Sequence, residues 1–306
     1  MSAQETDQKP QSMRACGYEF GVDRRHTRVS MSETESRPLA TTAELAETAL
    51  RVQLVEQPPR YTLDLGQFGA YRYDALCVQI EIMRAARNPA FEQLALRGPV
   101  LLHALAHRGI YVLHASAVQR ADGVVLAITA ASGVGKSTLA SLACTQGWRR
   151  LADDLLPVGK GIDARLECLP QLEQPKLSRA EQYPMDGPAL PLSALLLLKR
   201  GPNTGLRTLS AIDTAHLILS STVATRAFAR ASLAAHLGFA AFVAEQVSGG
   251  GFAAAELTIA DRADDPAAAA TEALSLLRAF PLSRTNPHSK PLANSGSVDG
   301  ALRTQS

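Results

Sequence analysis

The residues Ala130 to Thr138, AASGVGKST, set two glycines, a lysine and a hydroxyl at the spacing of a loop that cradles phosphate. Each part has a physical task. Gly133 and Gly135 can take positive φ, so the backbone N–H groups of Ser132 to Gly135 turn toward a common centre and make an anion nest. A helix starting near Lys136 adds the partial positive charge of its N-terminus, extended through Ser137 and Thr138. Lys136 supplies a mobile point charge for β- and γ-phosphates, and the Ser137 hydroxyl is a ligand for Mg²⁺. The motif as usually written begins with glycine, and here Ala130 stands in that position. The context is the one the chemistry requires: an apolar run, VVLAITA, leads in and a helix-like run to Gly147 leads out.

Such a loop alone does not separate a kinase from other nucleotide-using proteins. The pair Asp153-Asp154 lies 17 residues beyond Lys136, at the end of the apolar Leu151-Ala152. A strand there, running beside the strand that leads into the loop, brings both carboxylates to the phosphates. One would bind Mg²⁺ and the other would accept the proton of an attacking hydroxyl. Away from a phosphate loop, an Asp-Asp pair is more often a solvated turn. His114, in LHASAV, sits on the strand before the loop's own strand and would stand beside the γ-phosphate; its bland alternative is a satisfied core histidine. The other six histidines have no metal-ligand spacing, and His103 and His107 lack the glutamate of H-E-x-x-H, so no protein-bound zinc is expected. Nor do Cys16, Cys77, Cys144 and Cys168 form a C-x-x-C, and they read as reduced thiols of a cytoplasmic protein.

Positioning these groups requires an α/β core. The chain has 306 residues, 46% apolar and 20% charged, with net charge +2, which gives no reason to expect nucleic acid or a membrane as partner. The most apolar run, Ala189 to Leu198, is half a membrane span and reads as a buried strand. Residues 1–40 and 283–306 are polar, without an apolar period, and are expected to be disordered. Residues 41–90 read as a small strand-rich region, and 91–282 as the catalytic domain. Within the latter, Phe91 to Gly109 reads as one helix capped by Gly109. Then come strands flanking an Ala121–Gly123 turn, the loop and its helix, and one strand over Trp148 to Gly159 with a partner in ARLECLP. Further strands are expected in ALPLSALLLLK and AAAELTIA, with two or more helices in Ala211 to Val247 and a last one after Asp264.

The order LHASAV, a turn, VVLAITAASGVGKSTLA, then GWRRLADD resembles the catalytic domain of the HPr kinase/phosphorylase superfamily, whose core is similar to that of phosphoenolpyruvate carboxykinases. The resemblance covers about Tyr111 to Val158 and extends faintly through LPQLEQPKLS, Leu169 to Ser178. It implies a phosphate-loop α/β core with a mixed sheet and flanking helices. It also implies ATP and Mg²⁺ as cofactors and phosphorylation of a serine-type hydroxyl on a protein, peptide or small molecule. Carried over, Lys136 and Ser137 bind phosphate and metal, His114 lies near the transferred group, and Asp153 and Asp154 divide the roles of base and metal ligand. On this resemblance the metal falls to Ser137 and Asp154. The family's hexamers make a homo-oligomer an open expectation. Two departures bear on the acceptor: Thr138 replaces the acidic residue that follows the loop serine in HPr kinases, and EQVSGGGFAAAEL has no counterpart of their C-terminal signature. These leave kinase-only activity favoured and HPr doubtful as acceptor. The alternatives are a non-catalytic nucleotide-binding regulator and a generic phosphate-loop ATPase.

Overall fold

A computed structural model describes residues 11–23, 53–57, 60–74, 76–261 and 265–280. It opens on a hairpin of β1 (Gln11–Ala15) and β2 (Tyr18–Asp23), joined by Cys16 at φ 52° and Gly17 at φ 77°. Two successive positive φ values make the primed turn whose twist matches that of the strands it joins. Phe20 and Val22 face the core while Tyr18 and Glu19 face solvent. The expectation that residues 1–40 are structureless therefore fails at 11–23, where a buried alternation outweighs the polar composition. Residues 1–10, 24–52 and 281–306, including the tail expected at 283–306, lie outside the described residues.

Four more strands, β3 (Gln53–Gln57), β4 (Arg60–Asp64), β5 (Ala70–Tyr73) and β6 (Gln79–Arg84), complete a six-stranded sheet of order β1-β2-β6-β5-β4-β3. Only β2–β6 is parallel. The helical region follows in two pieces, α1 (Pro89–Ala95) and α2 (Leu101–His107). Asn88 caps α1 by accepting from the Phe91 N–H at 2.9 Å. Between the pieces, Gly98-Pro99 breaks the expected single helix: Gly98 leaves helical geometry and Pro99 has no N–H to donate. Gly109, at φ 72°, ends α2 as expected. Leu96, Val100, Leu101 and Leu105 pack with Leu63, Tyr71 and Ile80 of the sheet. The helices thus share a core with the strands before them, and position 90 does not separate two cores.

The remaining elements are β7 (Tyr111–Leu113), β8 (Ala115–Gln119), β9 (Val125–Thr129), α3 (Lys136–Thr145), β10 (Arg149–Asp153), β11 (Leu156–Lys160), β12 (Leu166–Cys168), β13 (Leu190–Pro191), β14 (Ala194–Gly201), β15 (Gly205–Thr208), α4 (Ala211–Ser221), α5 (Arg230–Ser248), β16 (Ala253–Ala260) and α6 (Pro266–Ala279). They build a mixed central sheet, β10-β8-β9-β14-β16-β15, and an antiparallel sheet, β13-β12-β11-β7. In the central sheet β9, β14 and β16 run parallel. Side chains alternate between two covered faces. Leu126, Ile128, Leu196, Leu198 and Leu257 meet α3 and α6 on one face. Val125, Ala127, Leu195 and Ala254 meet α4, α5 and the antiparallel sheet on the other. The strand expected from Trp148 to Gly159 is two strands in different sheets, separated at Asp154. Moreover, β10 pairs with β8 and not with the loop strand β9.

On α2, His103 is fully buried, with Nδ1 2.6 Å from the Ala227 carbonyl oxygen. The carbonyl only accepts, so Nδ1 carries the proton. Burial pushes the imidazole pKa down from 6.5 to about 4, against the pull of that carbonyl. The unfolded chain therefore takes up a proton near pH 6.5 that the folded one refuses until about pH 4. The stability this residue contributes is present above 6.5 and lost as pH falls through that window, on the order of 3 kcal/mol in full. Replacing His103 by Gln is expected to flatten the decline of stability between pH 7 and 4.5, measured by urea unfolding; an undiminished slope would assign the titration to another group.

Candidate active site

The loop from Ala130 to Gly135 joins the end of β9 to the start of α3. Gly133 is at φ 80° and Gly135, the cap of α3, at φ 117°. A side chain at Gly135 would be strained by that φ, and its Cβ would lie 3.2 Å from Arg200 Nη2. Ala130 has no left-handed conformation, so alanine fits where the usual motif has glycine. Ser132, Gly133 and Thr138 are exposed, whereas Val134, Gly135 and Ser137 are half-buried.

Lys136 is 7% exposed, and its ammonium donates to the Ala130 carbonyl at 3.2 Å. Burial pushes its pKa down; Asp154 opposes the shift, Lys176 adds to it and Asp153 opposes it again. The Ser137 hydroxyl donates to Asp153 Oδ1 at 2.8 Å, and the Ser116 hydroxyl of β8 donates to the same oxygen at 2.6 Å. Arg150 Nη1 stands 3.5 Å from the other oxygen, Oδ2. Asp153 is thus a buried carboxylate at the N-terminus of α3, held by two hydroxyls and a guanidinium. It reaches the loop although β8 lies between β10 and β9, because β10 and β8 place Asp153 opposite Ser116.

Asp154 faces elsewhere. Its Oδ1 is 2.9 Å from His114 Nε2 and 3.0 Å from Lys176 Nζ, and its side chain is 27% exposed. Its φ of 96° is far from what a side chain ordinarily adopts, and its N–H donates to the Ala115 carbonyl at 3.1 Å. His114 lies at the junction of β7 and β8 rather than inside one strand. The Ser221 carbonyl at the end of α4 accepts its N–H at 2.7 Å, and the Thr129 hydroxyl donates to its carbonyl at 3.1 Å. All four of Lys136, Asp153, Asp154 and His114 therefore gather at the end of β9, with Lys136 coupled electrostatically to both aspartates.

Three neighbours escaped the sequence reading. Gln174, 1% exposed, accepts the Asp153 N–H at 3.0 Å and donates to the Leu155 carbonyl at 2.8 Å, clamping the chain on both sides of Asp154. Its own N–H is in turn accepted by Gln182. Arg200, near the end of β14, donates from Nε to the Val134 carbonyl at 3.1 Å and leans over the loop. Its signal was present only in part: the sequence shows a basic residue closing the apolar run Ala189 to Leu198, and the structure adds that this strand runs parallel to the loop strand. Ser116, two residues from His114, had no distinguishing signal. Lys176 reads from sequence as solvated surface or as a charge facing the acceptor; it is 54% exposed and pairs with Asp154.

No family model matches the chain, and no curated protein matches it. Among solved structures, the Hpr(Ser) kinase/phosphatase from Coxiella burnetii is similar, at 14% identity, over 55% of this chain and 90% of that one, with a TM-score of 0.30. A likeness that slight carries no argument about activity.

The conformation of Asp154 makes a clean prediction. Asp154→Gly and Asp154→Ala delete the same carboxylate and its ion pairs, and differ in the backbone freedom at φ 96°. Glycine is expected to be the more stable by about 1–2 kcal/mol, the reverse of the usual order. Urea unfolding of the two variants measures the difference; alanine at or above glycine would mean the site is unstrained.

Proposed function

We propose that this protein is an ATP- and Mg²⁺-dependent kinase of the HPr-kinase type that phosphorylates a serine-type hydroxyl. The observation that carries the proposal is the division of labour between adjacent carboxylates. Asp153 is tied to the loop hydroxyl Ser137, and Asp154 is turned away toward His114 and Lys176. The first arrangement serves the metal and phosphates, and the second carboxylate is left to meet the attacking hydroxyl.

The residues fit the proposed ligands. A buried ammonium sits behind a loop with two left-handed glycines, and a hydroxyl and a carboxylate oxygen are already 2.8 Å apart. Mg²⁺ is commonly held by one or two carboxylates together with substrate phosphates. We therefore move the metal role from Asp154 to Asp153, beside Ser137. Bound ATP and Mg²⁺ would supply the phosphoryl group and neutralise its charge. Lys136 holds negative charge on the phosphates, and Arg200 is poised at the rim of the same loop. Asp154 takes the proton of the acceptor hydroxyl, with His114 and Lys176 fixing the orientation of its carboxylate. The cytoplasm is the compartment this cofactor use suits.

The test uses the full chain with radiolabelled ATP, free L-serine and serine-containing random peptides, reading phosphoserine by mass spectrometry. Asp154→Asn is expected to lower turnover by about 10²-fold or more while leaving the affinity for a fluorescent ATP analogue intact. Asp153→Asn should raise the Mg²⁺ concentration needed for half-maximal rate, and Lys136→Ala should weaken nucleotide binding. Unimpaired transfer by both aspartate variants would remove the carboxylate base. ATP hydrolysis with no phosphoserine would favour the ATPase alternative.

A further inference from the structure

A cleft of about 780 Å³ opens beside this site, between β1, the α1–α2 break and the loop after β12. Leu155 and Pro175 are among its lining residues. They are the chain neighbours of Asp154 and Lys176, whose side chains pair at 3.0 Å. The Asp154–Lys176 pair therefore lies one residue beyond the cleft lining on each of these two segments, and each step is about 3.8 Å.

The opposite wall is a strand edge. In the six-stranded sheet β1 is terminal among the described residues. Ser12, Met13 and Arg14 all line the cleft, although alternate side chains point to opposite faces of a strand. Three consecutive residues can share one cleft when the strand presents its edge to it. The two-residue turn makes Ala15–Tyr18 the closing hydrogen-bonded pair of the hairpin. Counting back from it, the backbone groups of Met13 bond to β2, whereas those of Arg14 and Ser12 point outward. At the turn, the Cys16 N–H already donates to the Gln171 carbonyl at 2.7 Å, so this edge pairs with extended chain where chain is present. Beyond that point the edge faces Leu172, Glu173 and Pro175 across open space. An ion pair, Arg97–Glu173 at 2.7 Å with both side chains 61% exposed, bridges the helical wall and the loop wall. Solvent screening keeps such a strap weak.

We infer that this cleft holds the phosphoryl acceptor, and that the acceptor is an extended polypeptide segment that adds to the edge of β1, terminal among the described residues, and presents its hydroxyl residue at Asp154. The inference rests on the kinase reading and narrows it: a free amino acid would need neither a strand edge nor a space of this size, whereas a strand-forming peptide needs both. Leu94, 63% exposed on the helical wall, offers an apolar contact for one face of such a strand.

The experiment immobilises the full chain with ATP analogue and Mg²⁺ and passes over it a random peptide library with a central serine. Retained peptides are sequenced and then tested as substrates with ATP. Retention by the wild-type chain is expected to fall about tenfold or more in Arg14→Pro, which deletes an outward N–H on an edge strand that tolerates proline. A comparable fall is expected in Leu94→Arg, whose exposed site leaves the urea midpoint unchanged. Leu237→Arg, on the exposed face of α5 outside the cleft, should retain peptides like the wild type. No enrichment, or retention by both cleft variants at the wild-type level, would overturn the cleft while leaving phosphorylation of free serine to speak for the kinase. Retention without phosphorylation of any bound peptide would overturn the acceptor role. Retention that appears only once residues 1–10 are removed would name the chain's own N-terminal segment as occupant and also overturn it.

Discussion

The structure turns on a ribbon that passes from one sheet to another. β8 and β10 pair in the central sheet, with Ser116 opposite Asp153, and β7 and β11 pair in the antiparallel sheet, with Leu113 opposite Leu156. Between these two pairings the ribbon's register is interrupted, over His114-Ala115 on one side and Asp154-Leu155 on the other, with only the Asp154 N–H still donating to the Ala115 carbonyl. A two-stranded ribbon can fold between layers only where its ladder is interrupted, and at least one residue must then leave extended geometry. Asp154 is that residue, and its side chain meets His114 across the crease. The same bend that lets two sheets enclose a common core thus lays two polar side chains beside the glycine loop.

What surrounds the crease is arranged to hold it. Ser221, at the end of α4, accepts from His114, and Thr129 at the end of β9 bonds to both His114 and Ser221. The loop strand, the α4 helix and the crossing ribbon are therefore pinned at one point. β9 has an antiparallel neighbour on one side and a parallel one on the other, and its end is the switch point between them. The loop and Arg200 occupy it. Geometry of this kind puts reactive groups on strand ends and helix termini, where packing of the elements fixes them.

Much of this was legible in the sequence because its causes are local. The glycines, lysine and serine of the loop, the apolar run before it and the helix after it lie within about two dozen residues. The Ala121–Gly123 turn and the cap at Gly109 follow from backbone freedom alone. Which strands neighbour one another is not local: nothing in RRLADD says that it pairs with ASAV rather than with VLAIT. The crease was illegible for the same reason, since both LHASAV and LADDLLPV read as unbroken strands. The first hairpin was hidden by composition: Tyr18, Phe20 and Val22 do alternate, but in a segment short enough for charged and polar neighbours to outweigh them. Gln174 gave no sign because an isolated polar residue in a loop has no pattern.

Gln174 also separates two kinds of attachment at the crease. Its side-chain amide substitutes for a peptide group, accepting from Asp153 and donating to Leu155 across the residue between them. It bears no charge, so neither dissolved salt nor acidity alters what it offers. The Lys176–Asp154 and Arg97–Glu173 contacts are between partly exposed ions, and a few hundred millimolar salt shortens their reach to a few ångströms. The backbone on either side of Asp154 is therefore insulated from the ionic composition of the surroundings, while the orientation of its carboxylate is not.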